Sequence, residues 1–376
     1  MLALNKKKGD KWILVIVIFL ALFGVLMIYS ASKYTAEKDL NNKYYYATKQ
    51  LIGFLVGLVF MIFTSFFDYR KYKKLYIILP IISAVLLALV FTPVGQESYG
   101  AKRWIKIGSL TIQPSEIAKF SFVLFCSVYL GNKPERATDF LGILPVLSVG
   151  GIFCLLIMLE PNMSITVCFG ILMLVMIYLG GMKKKFFYII AIPLLLAVPL
   201  LIILEPYRMK RLSAFINPWN SPKGEGYQLI QSLYALGSGG WFGVGLFNSR
   251  QKYKFLPFSE SDFILSVIGE EFGFVGVILL FTIIFILIIK GIKIASKSRD
   301  FYSFLLSSGI VCVFFVQVVV NALVVTGSIP PTGLPLPLIS CGNTSLIVFM
   351  GAFGVLYNVS KNSDELMGKR ECLNLL

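Results

Sequence analysis

Three acidic residues stand where the longest polar stretch of the chain meets a hydrophobic segment. Asp262 begins that segment, and Glu270 and Glu271 lie about two helical turns farther along. Acidic side chains at the edge of a bilayer are costly and mark functional sites. Asp262 could cap the helix or act as a general base, and its residue type leaves both roles open. Glu270 and Glu271 lie inside the hydrophobic segment. Their position indicates that they pack against other spans and pair with a buried Lys or Arg.

Cations that could meet these carboxylates, or a phosphate, occur in three regions. Lys119 lies one turn after Glu116 in a short apolar segment, so it could form an i, i+3 ion pair, neutralise one of the distant glutamates, or bind a phosphate. Arg103 stands in a Lys-rich loop. It could anchor that loop at the membrane interface, or it could contact a pyrophosphate. Arg208 and Arg211 lie at the start of the long polar stretch. Their positive charges there favour the interpretation that this stretch binds an anionic, lipid-linked substrate.

The sequence excludes several other kinds of chemistry. It contains no histidine, which removes His-based acid–base catalysis and the commonest metal ligand. Its six cysteines have no C-x-x-C spacing, as expected for small buried hydrophobic residues. The glycine cluster at 237–245 lacks the preceding strand of a dinucleotide-binding fingerprint. No Walker A motif, zinc motif or nucleophile elbow is present.

The composition predicts an integral membrane protein. Hydrophobic residues make up 57% of the 376 and charged residues 14%, whereas soluble domains have about half and about a quarter. The apolar residues form blocks near the length that crosses about 30 Å of hydrocarbon. The predicted spans are about 12–30, 50–67, 75–92, 117–130, 140–159, 165–180, 186–204, 263–289, 301–325 and 345–359. These ten spans predict an all-α integral membrane protein, a single polytopic domain over residues 1–376.

The distribution of Lys and Arg predicts the orientation of this domain. Short basic clusters fall in alternate connections, on the side of the N-terminus, as the positive-inside rule requires of cytoplasmic loops. Both termini, residues 1–11 and 360–376, are therefore expected in the cytoplasm. The large loop between helices 7 and 8, residues 205–262, is expected outside, as an active-site loop. The net charge of +16 lies in these clusters, which argues against nucleic-acid binding.

A proline-rich hinge precedes the last span. Residues 330–337 include Pro335 and Pro337 and cannot form a regular helix. Non-helical backbone at membrane depth requires a surround of protein or a water-filled cavity. We therefore expect this hinge to dip towards a central cavity, with Pro335 and Pro337 in a structural role.

Eight motifs, in order along the chain, together resemble one family. They are Gly100-Ala-Lys-Arg-Trp-Ile, Gln113-Pro-Ser-Glu-Ile-Ala-Lys, Asn217-Pro-Trp, Gly226-Tyr-Gln-Leu-Ile-Gln-Ser, Gly237-Ser-Gly-Gly, Ser261-Asp-Phe-Ile, Gly269-Glu-Glu-Phe-Gly and Thr332-Gly-Leu-Pro-Leu-Pro-Leu-Ile-Ser. The set resembles the SEDS family (shape, elongation, division and sporulation), which includes FtsW, RodA and SpoVE. The resemblance covers essentially the whole chain, and the run Ser249–Lys252 is more similar to the division and sporulation branch.

This resemblance implies a peptidoglycan glycosyltransferase of the bacterial cytoplasmic membrane, active in cell division or sporulation. It would polymerise lipid II into glycan strands at the outer face, with a class B penicillin-binding protein and divisome or sporulation proteins as partners, and with membrane lipid around it. Asp262 would be the essential residue, taking the proton of the acceptor 4-hydroxyl while undecaprenyl pyrophosphate leaves. The alternatives are a lipid II flippase and a non-catalytic scaffold that recruits the penicillin-binding protein.

The resemblance also implies a set of substrate-binding residues. They are Arg103, Glu116, Lys119, Arg208, Arg211, Gln228, Gln231, Ser232, Ser238 and Ser340. A leaving pyrophosphate needs cationic stabilisation, which suits Arg103, Lys119 and a divalent cation, Mg or Mn, whose site the sequence does not identify. Glu270 and Glu271 are expected to be mainly structural.

The chain departs from the family pattern at three places. Asn162 replaces an Asp after span five, which leaves Glu160 to compensate if that Asp binds a cation or substrate. Before Asp262 the chain reads Leu-Pro-Phe-Ser-Glu from residue 256, and after the hinge it reads Ser-Cys-Gly-Asn from residue 340. These departures indicate a divergent member, and they leave open whether its activity is weakened.

Overall fold

The computed structural model describes residues 9–98, 101–107 and 110–361. The described chain contains twelve α-helices, which are α1 Lys11–Leu40, α2 Tyr45–Phe66, α3 Ile78–Leu89, α4 Pro114–Asn132, α5 Phe140–Leu159, α6 Met163–Leu179, α7 Lys184–Ile203, α8 Pro206–Ile216, α9 Tyr227–Gly239, α10 Ile264–Ser296, α11 Phe301–Val325 and α12 Asn343–Ser360. It also contains 3₁₀ helices at Tyr69–Leu75, Pro134–Thr138 and Pro218–Asn220, and the strands β1 Gly95–Ser98, β2 Ala101–Ile107 and β3 Leu110–Ile112. Most of the two predicted cytoplasmic ends lies outside the described residues.

Each predicted span coincides with a helix or a bent helix pair. Among the described residues, seven helices are long and apolar enough to cross a membrane: α1, α2, α5, α7, α10, α11 and α12. The 3₁₀ helix Tyr69–Leu75 and α3 make an eighth candidate, bent by 60°. Helix α6 is shorter, with 17 residues, and α4 carries Glu116 and Lys119. The count of ten crossings therefore stays a prediction.

Two stretches expected to be loops have regular structure. The connection between α3 and α4 forms a three-stranded antiparallel sheet, in the order β1-β2-β3, which adds a small β-element to the predicted all-α fold. Trp104 of β2 pairs with Gln96, and Ile105 pairs with Ile112. Strand β1 contains no large apolar residue, β2 does not alternate strictly between polar and apolar side chains, and β3 has only three residues, so none shows the pattern of a strand. The stretch 205–262 is not a simple loop either, because it contains α8 and α9.

The two ends of the described chain lie side by side. The backbone N–H of Asp10 donates to Ser360 Oγ at 3.1 Å, and Lys290 pairs with the Asp10 carboxylate at 2.7 Å. At the same end, the Tyr302 hydroxyl donates to the Tyr69 carbonyl at 3.0 Å. The start of α1, the end of α12 and the connections after α2 and α10 thus share one end of the helix bundle. An even number of crossings produces this arrangement.

Helix α1 approaches the segment after the hinge so closely that a glycine is required. A Cβ added at Gly24 would lie 2.7 Å from both Cα and the carbonyl oxygen of Ile339. Both atoms belong to the backbone, so they cannot turn away as a flexible side chain would. Gly151 of α5 is the opposite case, since a Cβ there would meet nothing within 4 Å.

We therefore expect Gly24→Ala to destabilise the protein by about 1–3 kcal/mol, the usual cost of overpacking. Gly151→Ala should be neutral, or stabilising by up to about 1 kcal/mol through helix propensity. Thermal unfolding of both variants in detergent measures the difference. Equal melting temperatures would contradict the close contact between α1 and Ile339.

Candidate active site

The peptide that carries Asp262 is fastened to the segment that follows the proline-rich hinge. The backbone N–H of Cys341 donates to the Glu260 carbonyl at 2.9 Å. The Ser340 hydroxyl donates to the Ser261 carbonyl at 2.7 Å. Two consecutive carbonyls before Asp262 are therefore held by residues far away in the sequence, which fixes the chain just before α10 begins.

The segment after the hinge is itself anchored to α2. Gln50, which is fully buried, donates to the Ser340 carbonyl at 3.2 Å and accepts from the Gly342 N–H at 3.3 Å. The backbone N–H of Leu336 donates to Ser340 Oγ at 2.7 Å. No helix forms between residues 330 and 336, as the prolines predict. Ser340 was expected to bind substrate, but its hydroxyl is engaged in holding the Asp262 peptide.

The Asp262 carboxyl group lies half-buried beside Gly333. A Cβ added at Gly333 would be 3.4 Å from Asp262 Oδ2, so the Gly333 backbone lies close to this carboxyl oxygen. The pKa of Asp262 is raised from 3.8 to about 6, mainly by burial and also by the nearby Glu260, against the opposing effect of Arg103 and Arg211. A carboxylate with this pKa is mostly ionised at neutral pH and can accept a proton.

Two of the predicted cations, from different parts of the chain, act electrostatically on this carboxylate. Arg103 arrives on β2, where its guanidinium group donates to the carbonyls of Glu160, at 3.3 Å, and Pro161. Arg211 arrives on α8 and donates to the Pro331 carbonyl at 3.4 Å. Both lower the pKa of Asp262, so both positive charges act at this site. The hydrogen bonds to main-chain carbonyls fix the position of each guanidinium group.

Glu160 lies beside Arg103 in an apolar setting. The residue is 1% exposed, and neither carboxyl oxygen has a hydrogen-bond partner in the described part of the chain. Burial raises its pKa to about 8, although Arg103 lowers it. Asn162, two residues later, caps α6 by accepting from the Ile165 N–H at 3.5 Å. Glu160, rather than Asn162, is therefore the carboxyl group that this turn adds to the site.

Lys119 forms its ion pair within its own helix. Its ammonium group lies 2.7 Å from Glu116 Oε1, and both side chains are buried. The expectation that Lys119 neutralises Glu270 or Glu271 is therefore wrong, since the nearest carboxylate is one turn away. Lys119 and Gln317 line a small cavity of about 10 Å³. The groups that shift the pKa of Asp262 do not include Lys119.

Glu270 and Glu271 hold the polar segment 248–252 against α10. Glu270 accepts from the backbone N–H of Arg250 at 3.0 Å and of Gln251 at 3.3 Å, and from the Ser249 hydroxyl. The single O–H of Ser238 lies 3.3 Å from Glu270 Oε1 and 3.0 Å from the Ala235 carbonyl, so the two acceptors share it. The hydroxyl of Ser238 thus contributes to the fold, and its expected contact with substrate stays a prediction.

Glu271 is paired with a buried lysine. Lys252 Nζ lies 3.1 Å from Glu271 Oε1, and their side chains are 6% and 0% exposed. Ser30 of α1 donates to the same oxygen at 2.6 Å. These contacts agree with the structural role that the sequence predicts for Glu271. The cation that pairs with it is Lys252 and not Lys119.

Three of the remaining predicted residues lie on α9 and one on α8. Ser232 is fully buried, donates to the Val325 carbonyl at 2.8 Å and shares a 2.8 Å hydrogen bond with Ser266. These contacts pack α9 against α10 and α11, and the substrate-binding role of Ser232 stays a prediction. Arg208 donates to the Leu201 carbonyl at 2.9 Å and so caps the end of α7. The residues Gln228 and Gln231 are half-buried on α9.

The sequence did not single out three residues that hold or tune the site, namely Gln50, Glu260 and Asn321. Asn321 of α11 is fully buried and donates to the Asp262 carbonyl at 2.9 Å. An uncharged amide within an apolar segment was the available signal for Gln50 and Asn321, because such groups need a partner in a membrane. No group of three or more Asp, Glu, His or Cys that could hold a metal occurs among the described residues.

Comparison with known proteins identifies the family. A family model described as "Cell cycle protein", covering FtsW, RodA and SpoVE, matches residues 10–365. Stage V sporulation protein E of Bacillus subtilis is 37% identical over 362 residues, which cover 96% of this chain and 99% of that protein. A probable peptidoglycan glycosyltransferase FtsW of Trichlorobacter lovleyi is 37% identical over 356 residues, which cover 93% of each.

Solved structures share the fold. A chain from work on the structural coordination of polymerization and crosslinking by a peptidoglycan synthase complex matches with a TM-score of 0.78 at 26% identity, covering 96% of this chain and 99% of that one. The crystal structure of the rod shape determining protein RodA from Thermus thermophilus matches with a TM-score of 0.71 at 25% identity, covering 96% and 99%. These matches confirm the resemblance found in the motifs: the chain belongs to the FtsW, RodA and SpoVE family of cell cycle proteins.

Proposed function

We propose that this chain is a peptidoglycan glycosyltransferase that polymerises lipid II, with Asp262 as the general base. Its relatives include proteins named as peptidoglycan glycosyltransferases. The observation that carries the proposal is the half-buried Asp262 carboxylate with its pKa raised to about 6, in the field of Arg103 and Arg211. A base with a pKa just below the working pH is both ionised and basic enough to take a proton.

The reaction uses these groups in separate roles. Asp262 accepts the proton of the acceptor 4-hydroxyl while the oxygen of that hydroxyl forms a bond to C1 of the donor sugar. The bond from C1 to the pyrophosphate oxygen breaks, and undecaprenyl pyrophosphate leaves with the electron pair. Arg103 and Arg211 stabilise the negative charge that develops on the leaving group. A Mg or Mn ion bound with the pyrophosphate would help to neutralise its charge. Glu160, in its ionised form, would be the carboxylate available as a ligand, because Asp262 serves as the base and Mg²⁺ sites usually combine few carboxylates with phosphate oxygens.

We place this site near the outer face of the membrane, with both termini in the cytoplasm and the stretch 205–262 outside. The support is the grouping of both chain ends with basic connections at one end of the bundle. Gly24, which contacts Ile339, follows Lys11 by thirteen residues, so the helical rise puts it about 20 Å from that end. The Asp262 peptide, fastened beside Ile339, then lies well past the middle of a layer about 30 Å thick.

The partners follow from the family. A matching structure is titled as a peptidoglycan synthase complex that coordinates polymerization and crosslinking. We therefore propose a class B penicillin-binding protein as the transpeptidase partner, within a division or sporulation assembly. The similarity to stage V sporulation protein E supports a sporulation role. A fluorescent fusion that marks the forespore supports it further, whereas one confined to the division septum of growing cells argues for the division role.

The pH dependence of polymerisation tests the assignment of the base. The rate at limiting lipid II should fall as the pH drops below about 6, where Asp262 becomes protonated. Glu260→Gln should move this acid limb to lower pH, because the charge of Glu260 raises the pKa of Asp262. Arg211→Gln should move it to higher pH, because Arg211 lowers that pKa. Shifts of the same sign in both variants would contradict the assignment.

A further inference from the structure

One amide group joins the Asp262 peptide to the proline-rich hinge. Asn321 Nδ2 donates to the Asp262 carbonyl at 2.9 Å and to the Leu334 carbonyl at 2.7 Å. Asn321 is fully buried in α11, four residues before the last residue of that helix, Val325. Both hydrogen atoms of the amide are therefore used, and they connect three separate parts of the chain.

The two segments joined by Asn321 are the ones that meet at the carboxylate. Gly333, which faces Asp262 Oδ2, directly precedes Leu334. The same amide therefore holds the backbone of the base and the backbone of the residue against which its carboxyl group rests. Without a donor between them, the buried Leu334 carbonyl and the part-buried Asp262 carbonyl would lose this partner and would repel each other. The distance between Asp262 and Gly333 would then be less tightly fixed.

Only an amide supplies this connection at this position. A side-chain amide offers two N–H donors in a rigid fork, whereas a serine hydroxyl offers one donor and a carboxylate offers none. The other amide atom, Asn321 Oδ1, is buried without a hydrogen-bond partner in the described part of the chain. The two N–H groups of Asn321 thus make its hydrogen bonds to other segments. Asparagine occupies this position despite the cost of burying Oδ1 without a partner.

We propose that Asn321 is a positioning residue, which sets the place of the Asp262 carboxylate by holding the carbonyls of Asp262 and Leu334 with one amide group. It does not touch the substrate. The inference rests on the proposed function of Asp262 as the base. Ser340 supports the same peptide one residue earlier through Ser261, so loss of Asn321 should loosen the site without releasing it.

The test compares Asn321→Asp and Asn321→Ser with the parent in lipid II polymerisation by the purified protein with its penicillin-binding protein. Asn321→Asp keeps the shape but loses both N–H donors. Whether the new carboxyl group is ionised or carries one O–H, it cannot hold both carbonyls, so the substitution should lower kcat by about 10–100-fold, since misplacing a reacting group by about 1 Å costs up to that factor. The KM for lipid II should stay within about twofold because positioning the base leaves ground-state binding unchanged. Asn321→Ser, which keeps one donor, should fall between Asn321→Asp and the parent.

A matched control lies on the same helix. Ser307 of α11 is fully buried, and its hydroxyl has no hydrogen-bond partner within the described residues. Ser307→Ala should therefore keep the parent kcat and KM. A raised KM with an unchanged kcat in Asn321→Asp would make Asn321 a substrate-binding residue and overturn the proposal. So would a kcat within twofold of the parent in Asn321→Asp.

Hydrogen exchange gives a readout that does not depend on activity. Backbone amides at 258–266 should exchange faster in both Asn321 variants, while those of α12 keep the parent rates. Unchanged exchange at 258–266 would overturn the positioning role even if Asp262 is the base. Full activity of Asp262→Asn would instead overturn the proposed function, so the two failures can be told apart. If Asn321→Asp does not fold, Asn321→Ser carries the same measurements.

Discussion

Asp262→Asn is expected to lower the rate of lipid II polymerisation by about 10²–10⁴-fold, the range that general base catalysis contributes. The amide has the shape of the carboxyl group but cannot accept the proton of the acceptor hydroxyl. The hydrogen bonds to the carbonyls of Glu260, Ser261 and Asp262 involve main-chain oxygens, so the substitution leaves them in place. We expect the variant to fold and to bind lipid II.

The matched control for this prediction is Asp139→Asn. Asp139 precedes α5, is exposed, and makes no side-chain capping hydrogen bond. It should polymerise lipid II at the parent rate. The measurement is the initial rate of glycan formation from labelled lipid II at equal protein concentration. A loss of less than about tenfold in Asp262→Asn, which is below the contribution of a general base, would remove Asp262 from that role.

Lys252→Met is expected to have the largest effect on stability. It leaves the Glu271 carboxylate in a buried site with no cation, and breaking a buried ion pair in this way costs about 3–5 kcal/mol. Combining Lys252→Met with Glu271→Gln should recover much of that loss, because the amide carries no charge and can still accept from Ser30. The measurement is thermal unfolding of the single and double variants in the same detergent.

An exposed ion pair two residues away provides the control. Lys254 pairs with Asp39, and their side chains are 44% and 51% exposed. Water screens this pair, so Lys254→Met should cost no more than about 1 kcal/mol. Equal losses of stability in the two lysine variants would show that burial does not determine how much the Lys252–Glu271 pair stabilises the protein. A double variant no more stable than Lys252→Met would contradict the same point.

The sequence predicted the helices well where a long apolar run defines them. Spans such as 301–325 coincide with a helix at both ends, because nothing but helix satisfies the backbone in hydrocarbon. Short amphipathic elements were missed. Helix α8 has 11 residues and α9 has 13, and each lies in a polar stretch. Their apolar faces are too short to be recognised before the helices that they cover are known.

For the site, the sequence identified Asp262 and the two arginines but not how they are held. The residue type and the position of Asp262 suffice to mark it as a candidate site residue, since a carboxylate at a membrane edge is rare. The partner of each buried charge depends on tertiary contacts, so the sequence could not distinguish Lys119 from Lys252 as the cation of Glu271. Gln50 and Asn321 act through the main chain of other segments, and no local pattern records such a contact.

The measurement that tests the central claim most directly is glycan formation from lipid II in liposomes that contain the protein and its penicillin-binding protein. Polymer length and lipid II translocation are followed in the same vesicles, for the parent and for Asp262→Asn. We expect a ladder of glycan products from the parent, and from Asp262→Asn a complex of the same composition that makes no detectable ladder. Translocation of lipid II without polymer, or an equal ladder from both proteins, would contradict the assignment of this chain as a polymerase with Asp262 as its base.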